Sequence, residues 1–403
     1  RAFGIHVHLG SQTLGGAYSL ARTTLGQMAI RVALQCSEAD SHLILSEDNP
    51  AARLLTRPGE AIYNDANGRV EGNHLFQVVW LTDDKREDYL KKIRAMAIER
   101  NVLPATPQIV FEGNVPANID KNHLLTEVLA APTWPEVVLA PQAWLGEASA
   151  IKDPTATAFR RQGGSNTVIL GQQPESALAM EAVALVSLAA QHASDPARGA
   201  KFYVLDGSPP DAMHAGFWQR AAAAFPHPFQ AGGVREAGRF VGEIADELTR
   251  RQADGAAGTA EIYLVVHDLQ RFRDLRKAED DFSFSRTEEK ANPSKQLLTI
   301  VREGPALGIH VIIWSDSLNN FQRTFERSAM REFEVRVLFQ MSQNDSSNLI
   351  DSPLASRLGP NRALLYSEEQ GRLEKFRPYS LPDDAWLKKI GALLTAKRDS
   401  APA

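Results

Sequence analysis

The sequence predicts an α/β protein with a doubly wound, mostly parallel sheet, built on a duplicated module whose first copy is present only as its C-terminal half. Three observations carry that expectation. Short apolar segments, "TVIL" (167–170), "KFYVLD" (201–206), "EIYLVVHD" (261–268) and "GIHVIIWSD" (308–316), alternate with longer helical patterns. Strands buried on both faces by crossover helices look like this. A set of three segments recurs in order: "AFGIHVHLGSQTL" (2–14), "AIRVALQCSEADS" (29–41) and "GRVEGN" (68–73) return as "ALGIHVIIWSDSL" (306–318), "EVRVLFQMSQNDS" (334–346) and "GRLEKF" (371–376). Finally, 403 residues with 43% hydrophobic and 23% charged side chains suffice for more than one core.

Each repeat reads as a Gly-Ile-His turn entering an apolar strand, then a second strand (29–36 or 334–341), then a short strand near Tyr63 or Tyr366. His6 and His310 follow that turn and read as structural histidines at the start of a strand. Ahead of the second copy lies enough chain for the rest of an α/β domain. Residues 1–81 are therefore expected to be the C-terminal half of a first module. The connector, 82–145, opens with an amphipathic helix (82–100), in which Tyr89, Leu90, Ile93 and Met96 share a face. Prolines follow at 104, 107, 116, 132, 135 and 141, with one strand expected at "QIVFEG" (108–113). A complete second module is expected over 146–382, with helices at 175–191, 234–252 and 294–304, and a final helix and tail over 383–403.

Several classes are disfavoured. A net charge of −5 argues against a surface that coats nucleic acid non-specifically. The lone Cys36 cannot form an internal disulfide, which fits a reducing cytoplasm. The most apolar run, 177–193, carries Glu181 and is too short to span a bilayer. No G-x-G-x-x-G follows a strand, so a dinucleotide enzyme has little support. Arg1 stands in mid-pattern, as in a piece of a longer protein.

"NTVILGQQPESALAM" (166–180) has the order of a phosphate-binding loop: buried strand, glycine turn, helix start. On the residues alone, a plain strand–turn–helix is the better reading. The Gly-Ile-His strand followed by the Arg-containing strand and Ser…Asp-Ser resembles the FtsK/SpoIIIE superfamily of DNA-pumping, RecA-like P-loop ATPases. "AWLGEASAIKDPTATAFRRQGGSNTVILGQQ" (143–173) is similar to the hairpin that leads into that family's nucleotide loop. The resemblance makes Gly171, Gln172, Gln173, Glu175, Ser176, Ala177 and Leu178 the nucleotide-loop positions. Ser11, Gln12, Ser315 and Asp316 become the sensor positions, and Arg31 and Arg336 the strand arginines.

The departures from that family are chemical. Its loop needs free backbone N–H groups, a lysine for the phosphates and a hydroxyl for Mg²⁺. Ala177 stands at the lysine and Leu178 at the hydroxyl, Pro174 removes a donor, and Glu175 adds like charge. The acidic motif ends His267-Asp268, so histidine replaces the first acid and Asp268 remains as a lone candidate base. His267 on its own reads as a buried histidine at a strand end. No metal site and no cofactor are expected in this chain by itself; the resemblance places ATP and Mg²⁺ in an intact upstream module.

Arg271, Arg273, Arg276 and Lys277 are candidate DNA-phosphate contacts, though the neighbouring "EDD" and "EEK" favour a solvated mixed-charge segment. The partners implied are the chain's own upstream ATPase domain, a ring homo-oligomer (a hexamer in the family), DNA, or a partner protein or peptide. Two functions follow as expectations. One is the C-terminal part of a DNA translocase with tandem modules, the complete one here acting as a scaffold or regulator. The other is an EccC-like secretion or interaction module whose degenerate pocket holds a peptide or partner.

Overall fold

The computed structural model describes residues 4, 6–12, 26–102, 115–277 and 292–399. The chain forms two compact units, Arg1–Gln108 and Ile109–Ala403.

In the first unit, β1 (Arg31–Leu34), β2 (Glu60–Asn64) and β3 (Asn73–Gln77) make an antiparallel sheet in that order. The helix α1 (Glu38–Ile44) follows β1, and a small core of Ala33, Leu45, Ala52, Leu55 and Ile62 joins them. The helix α2 (Asp83–Glu99) forms where its periodicity and its Thr82 cap predict, yet buries no residue. One expectation is corrected here. Residues 6–12 are exposed and form no strand, so His6 is not a packed histidine. Val70–Gly72, inside "GRVEGN", form a short 3-10 turn ahead of β3.

The second unit opens with α3 (His123–Ala130) and the hairpin β4 (Gln142–Ala148) and β5 (Thr155–Ala158). Next come β6 (Thr167–Leu170), α4 (Pro174–Gln191), β7 (Ala200–Asp206), β8 (Phe229–Gly232), α5 (Ala237–Asp254) and β9 (Glu261–His267). The unit continues with α6 (Pro293–Glu303), β10 (Ile309–Ser315), β11 (Val335–Leu338), α7 (Gln343–Ile350), β12 (Ala363–Ser367), β13 (Arg372–Pro378) and α8 (Asp384–Asp399). One ten-stranded sheet runs β5-β4-β13-β12-β11-β6-β10-β9-β7-β8. From β11 to β8 every neighbour is parallel; from β5 to β11 every neighbour is antiparallel. The parallel block is doubly wound: α3, α4 and α8 cover one face and α5, α6 and α7 the other.

The unit begins earlier than the expected boundary at 146. β4 pairs with β13, and Leu125 and Leu129 of α3 share a core with α4 and α8, so 115–145 is not a connector. The strand expected at 108–113 lies largely outside the described residues. Asn166 fixes the start of β6: its buried amide donates to the carbonyls of Val301 and Glu332 and accepts from the Val311 N–H. His310 is buried, with Nδ1 2.8 Å from the Ser165 carbonyl oxygen.

The repeat is physical as well as textual. Ser37 caps α1 through the Asp40 N–H, and Ser342 caps α7 through the Asp345 N–H. Ser41 and Ser346, both fully buried, donate to the carbonyls of Asn49 and Ser352. Arg31 Nη1 donates to the Ile44 carbonyl at 3.3 Å, and Arg336 Nη1 to the Leu349 carbonyl at 2.7 Å. The Ser…Asp-Ser motif is thus a helix-start device, and the strand arginine closes the same helix at its carbonyl end, where the dipole favours a cation.

Two histidines, His227 buried and His192 partly buried, make stability depend on pH. His192 Nε2 lies 3.0 Å from the Tyr263 hydroxyl, and His227 Nε2 lies 2.8 Å from the His192 carbonyl oxygen. Burial lowers each from 6.5 to about 4. Above 6.5 neither state is protonated there, and nothing is lost. As pH falls from 6.5 toward 4 the unfolded chain takes up protons that the folded one refuses, at a loss of about 3 kcal/mol per histidine. Urea midpoints of the second unit should therefore drop over that interval, and a His192→Gln/His227→Gln variant should show a flatter profile. An unchanged profile in the variant would place the loss elsewhere.

Candidate functional site

The C-terminal ends of β6, β7, β9 and β10 meet where open α/β sheets hold ligands. β6 ends at Leu170, and only residues 171–173 separate it from Pro174, the first residue of α4. Gly171 takes φ +125, and a Cβ there would lie 2.7 Å from Phe339 Cβ, so only glycine fits. Its N–H donates to the Ser315 carbonyl at 3.1 Å. Its carbonyl accepts from the Gln173 N–H at 3.0 Å and from the Trp314 indole Nε1–H at 3.0 Å. A phosphate loop turns such groups toward its ligand. Here they are satisfied inside the protein.

The side chains repeat that message. Gln172 is exposed, and Gln173 Oε1 accepts from Ser176 Oγ at 3.3 Å. Glu175 points to solvent, 3.8 Å from His214. Ala177 and Leu178, at the lysine and hydroxyl positions, are buried in the main core. They belong to a helix buried continuously from Ala177 to Gln191, which serves as core rather than as the wall of a groove.

Histidine at the first-acid position has a partner that the motif alone does not indicate. His267 Nδ1 lies 2.6 Å from Glu181 Oε2, with the two side chains 3% and 0% exposed. The Trp314 ring packs on the imidazole, centroids 4.6 Å apart. Burial lifts the Glu181 carboxyl above its ordinary range; burial opposes charge on His267 too, but the Glu181 carboxylate draws the imidazole upward. The pair therefore keeps a proton between Nδ1 and Oε2 to higher pH than either group would in water. Both values are raised, so this contribution is complete in acid and fades as pH climbs.

Asp268 sits in the left-handed region at φ 64, a sparsely populated conformation for a non-glycine residue. Its carboxylate accepts from the Gln270 amide and lies 3.4 Å from Arg271 Nε; burial raises its pKa. Gln270 also binds the sensor pair. Its Oε1 accepts from Ser315 Oγ and from the Asp316 N–H, both at 3.3 Å. Asp316 Oδ1 accepts from Ser317 Oγ and Asn320 Nδ2, and so braces the helical turn that follows rather than facing a ligand.

Gly171, His267, Asp268, Ser315 and Asp316 are thus brought together, linked by Trp314 and Gln270. Ser11 and Gln12 lie in the first unit, exposed and outside any strand. Arg31 and Arg336 clamp helix ends. In the basic run, Arg271 pairs with Asp268 and Arg276 donates to the Gln270 carbonyl, while Phe272 and Leu275 are fully buried. Arg273 and Lys277 face solvent. Among the described residues no cluster of His, Cys, Asp and Glu is arranged to hold a metal ion, and no helix is long and apolar enough to cross a membrane.

Removing one partner of a buried pair leaves the other uncompensated, whereas replacing both with apolar groups removes the demand. Glu181→Leu should cost about 3–5 kcal/mol, and Glu181→Leu/His267→Leu distinctly less. Chemical denaturation of the four-member cycle decides this. A double variant as unstable as the sum of the singles would mean the two groups are independent.

No protein-family model matches the chain, and no curated protein matches it significantly. Solved structures do. The cytoplasmic domain of the Thermomonospora curvata type VII secretion ATPase EccC aligns with a TM-score of 0.58 at 17% identity, over 94% of this chain and 44% of that one. EccC ATPases 2 and 3 from the same organism, in complex with a signal sequence peptide, give 0.49 at 15%, over 73% and 53%. EssC ATPases 2 and 3 from Geobacillus thermodenitrificans give 0.46 at 14%, over 74% and 52%. This chain spans less than half the length of the first of these. It has the mostly parallel α/β fold found in the EccC cytoplasmic domain.

Proposed function

We propose that residues 109–403 are a catalytically silent ATPase module of a secretion-type translocating ATPase, acting as a scaffold or regulator of ATP-hydrolysing neighbours and as a docking unit for a partner protein. The observation that carries this is the closed turn. Gly171 has both backbone groups engaged by Ser315, Trp314 and Gln173, and the lysine and hydroxyl positions are core residues. Substituting a lysine at Ala177 would not restore a phosphate site, because Ala177 is a core residue and the N–H groups of Gly171 and Gln173 are already engaged within the fold.

The site also lacks the charge that ATP and Mg²⁺ demand. Triphosphate would meet Glu175, Asp268 and Asp316 with no lysine to offset them. Magnesium prefers oxygen ligands, and His267 is committed to Glu181. ATP and Mg²⁺ are accordingly assigned to other modules of the assembly.

DNA is the less favoured partner, since Arg271 and Arg276 are engaged within the fold and the net charge is −5.

Titration of this chain with a fluorescent ATP analogue, with and without Mg²⁺, tests the reading. Absence of saturable binding at millimolar nucleotide is expected. Micromolar binding would make nucleotide a ligand of this module and overturn it.

A further inference from the structure

The two copies of the repeat differ in what covers their first strand. With Arg31 aligned on Arg336, the serine caps, buried serines and arginine clamps coincide, which also aligns Ile30, Val32 and Leu34 with Val335, Val337 and Phe339. In the second unit those three are 4%, 0% and 0% exposed, in one core with Ile169 of β6 and Ala177 of α4. In the first unit the counterparts are 62%, 51% and 54% exposed. Ala33, on the opposite face, is buried, as is its counterpart Leu338.

The edge differs in the same way. β11 lies between β12 and β6, and pairs with β6 in parallel from Val335↔Thr167 to Leu338↔Leu170. The Phe339 N–H then donates to the Leu170 carbonyl. Among the described residues β1 pairs only with β2 and stands at the sheet edge. An apolar edge strand left open in water invites pairing and aggregation.

We propose that the free edge of β1, with Ile30, Val32 and Leu34, is an acceptor for a strand–turn–helix element carried outside residues 1–403. The occupant has the chemistry of β6 and α4: a short parallel strand of branched apolar residues, a glycine turn, and a helix with a small-residue apolar face. The β6–α4 pair shows what that surface accepts. The strand pairs with β1, its Leu170-like carbonyl takes the Leu34 N–H, and the helix covers Val32 and Leu34. This inference rests on the repeat and on burial, not on the nucleotide reading above.

The test uses the full chain and a fusion carrying residues 166–191 on a soluble carrier as the probe. Hydrogen exchange should slow at Arg31–Leu34, the Leu34 amide above all. Val32→Glu/Leu34→Glu should weaken binding about tenfold or more, because the carboxylates would be buried without partners. Leu75→Glu on β3 should leave it unchanged. Unaltered exchange at Leu34, or equal binding by the double variant, overturns the proposal. So does a homodimer in sedimentation velocity that Val32→Glu/Leu34→Glu dissolves, since the occupant would then be a second copy.

Discussion

The Trp314 indole hydrogen bond to the Gly171 carbonyl closes the turn on which the second unit is organised. β6 lies between β11 and β10, so the course of the chain after Leu170 decides where the central helix lies. Gly171 against Phe339 and Trp314 leaves room for one tight path, and Pro174 fixes the backbone for the first helical turn. α4 then runs through the core, buried at every position from Ala177 to Gln191. Small residues along it allow the close approach to the sheet. The same tight path engages both backbone groups of Gly171 within the protein.

Glu181 is a consequence of that path. Burying a carboxylate is unfavourable unless it is paired and hydrogen-bonded, and His267 at the end of β9 supplies the pairing. An acid at that strand end would set two like charges in a dry interior, where they repel strongly. Histidine with glutamate is a stable combination there. The pair leaves the strand-end region acidic, with the Asp268 carboxylate accepting from Gln270 and the Asp316 carboxylate accepting from Ser317 and Asn320. Sequence substitution, core packing and electrostatics thus point the same way.

Much of this was legible in the sequence. β6, β7, β9 and β10 fall where continuous apolar runs stand between turn residues, because a parallel strand buried on both faces has few other ways to be written. The repeat was visible for the same reason, and the caps at Ser37 and Ser342 sit on identical local patterns. The rest depended on contacts distant in sequence. Glu181 is the one acid in an apolar run, a signal of a buried partner, but nothing local names His267, 86 positions away. Trp314 interrupts an aliphatic strand, which flags it without revealing that its N–H reaches Gly171. The boundary at 146 missed β4 and α3 because prolines there mark turns inside the domain rather than a linker. The strand expected within 2–14 is not formed over its described residues 6–12, which are exposed, whereas its counterpart β10 lies between β6 and β9.

In the function proposed above, protein groups fill the place a nucleotide would take. The ¹⁵N–¹H resonance of the Trp314 indole, assigned by Trp314→Phe, reports on it directly. The account predicts a signal protected from solvent exchange and unmoved by millimolar ATP with Mg²⁺. A fast-exchanging indole proton, or one that shifts saturably with nucleotide, would show the turn to be open and would contradict the account.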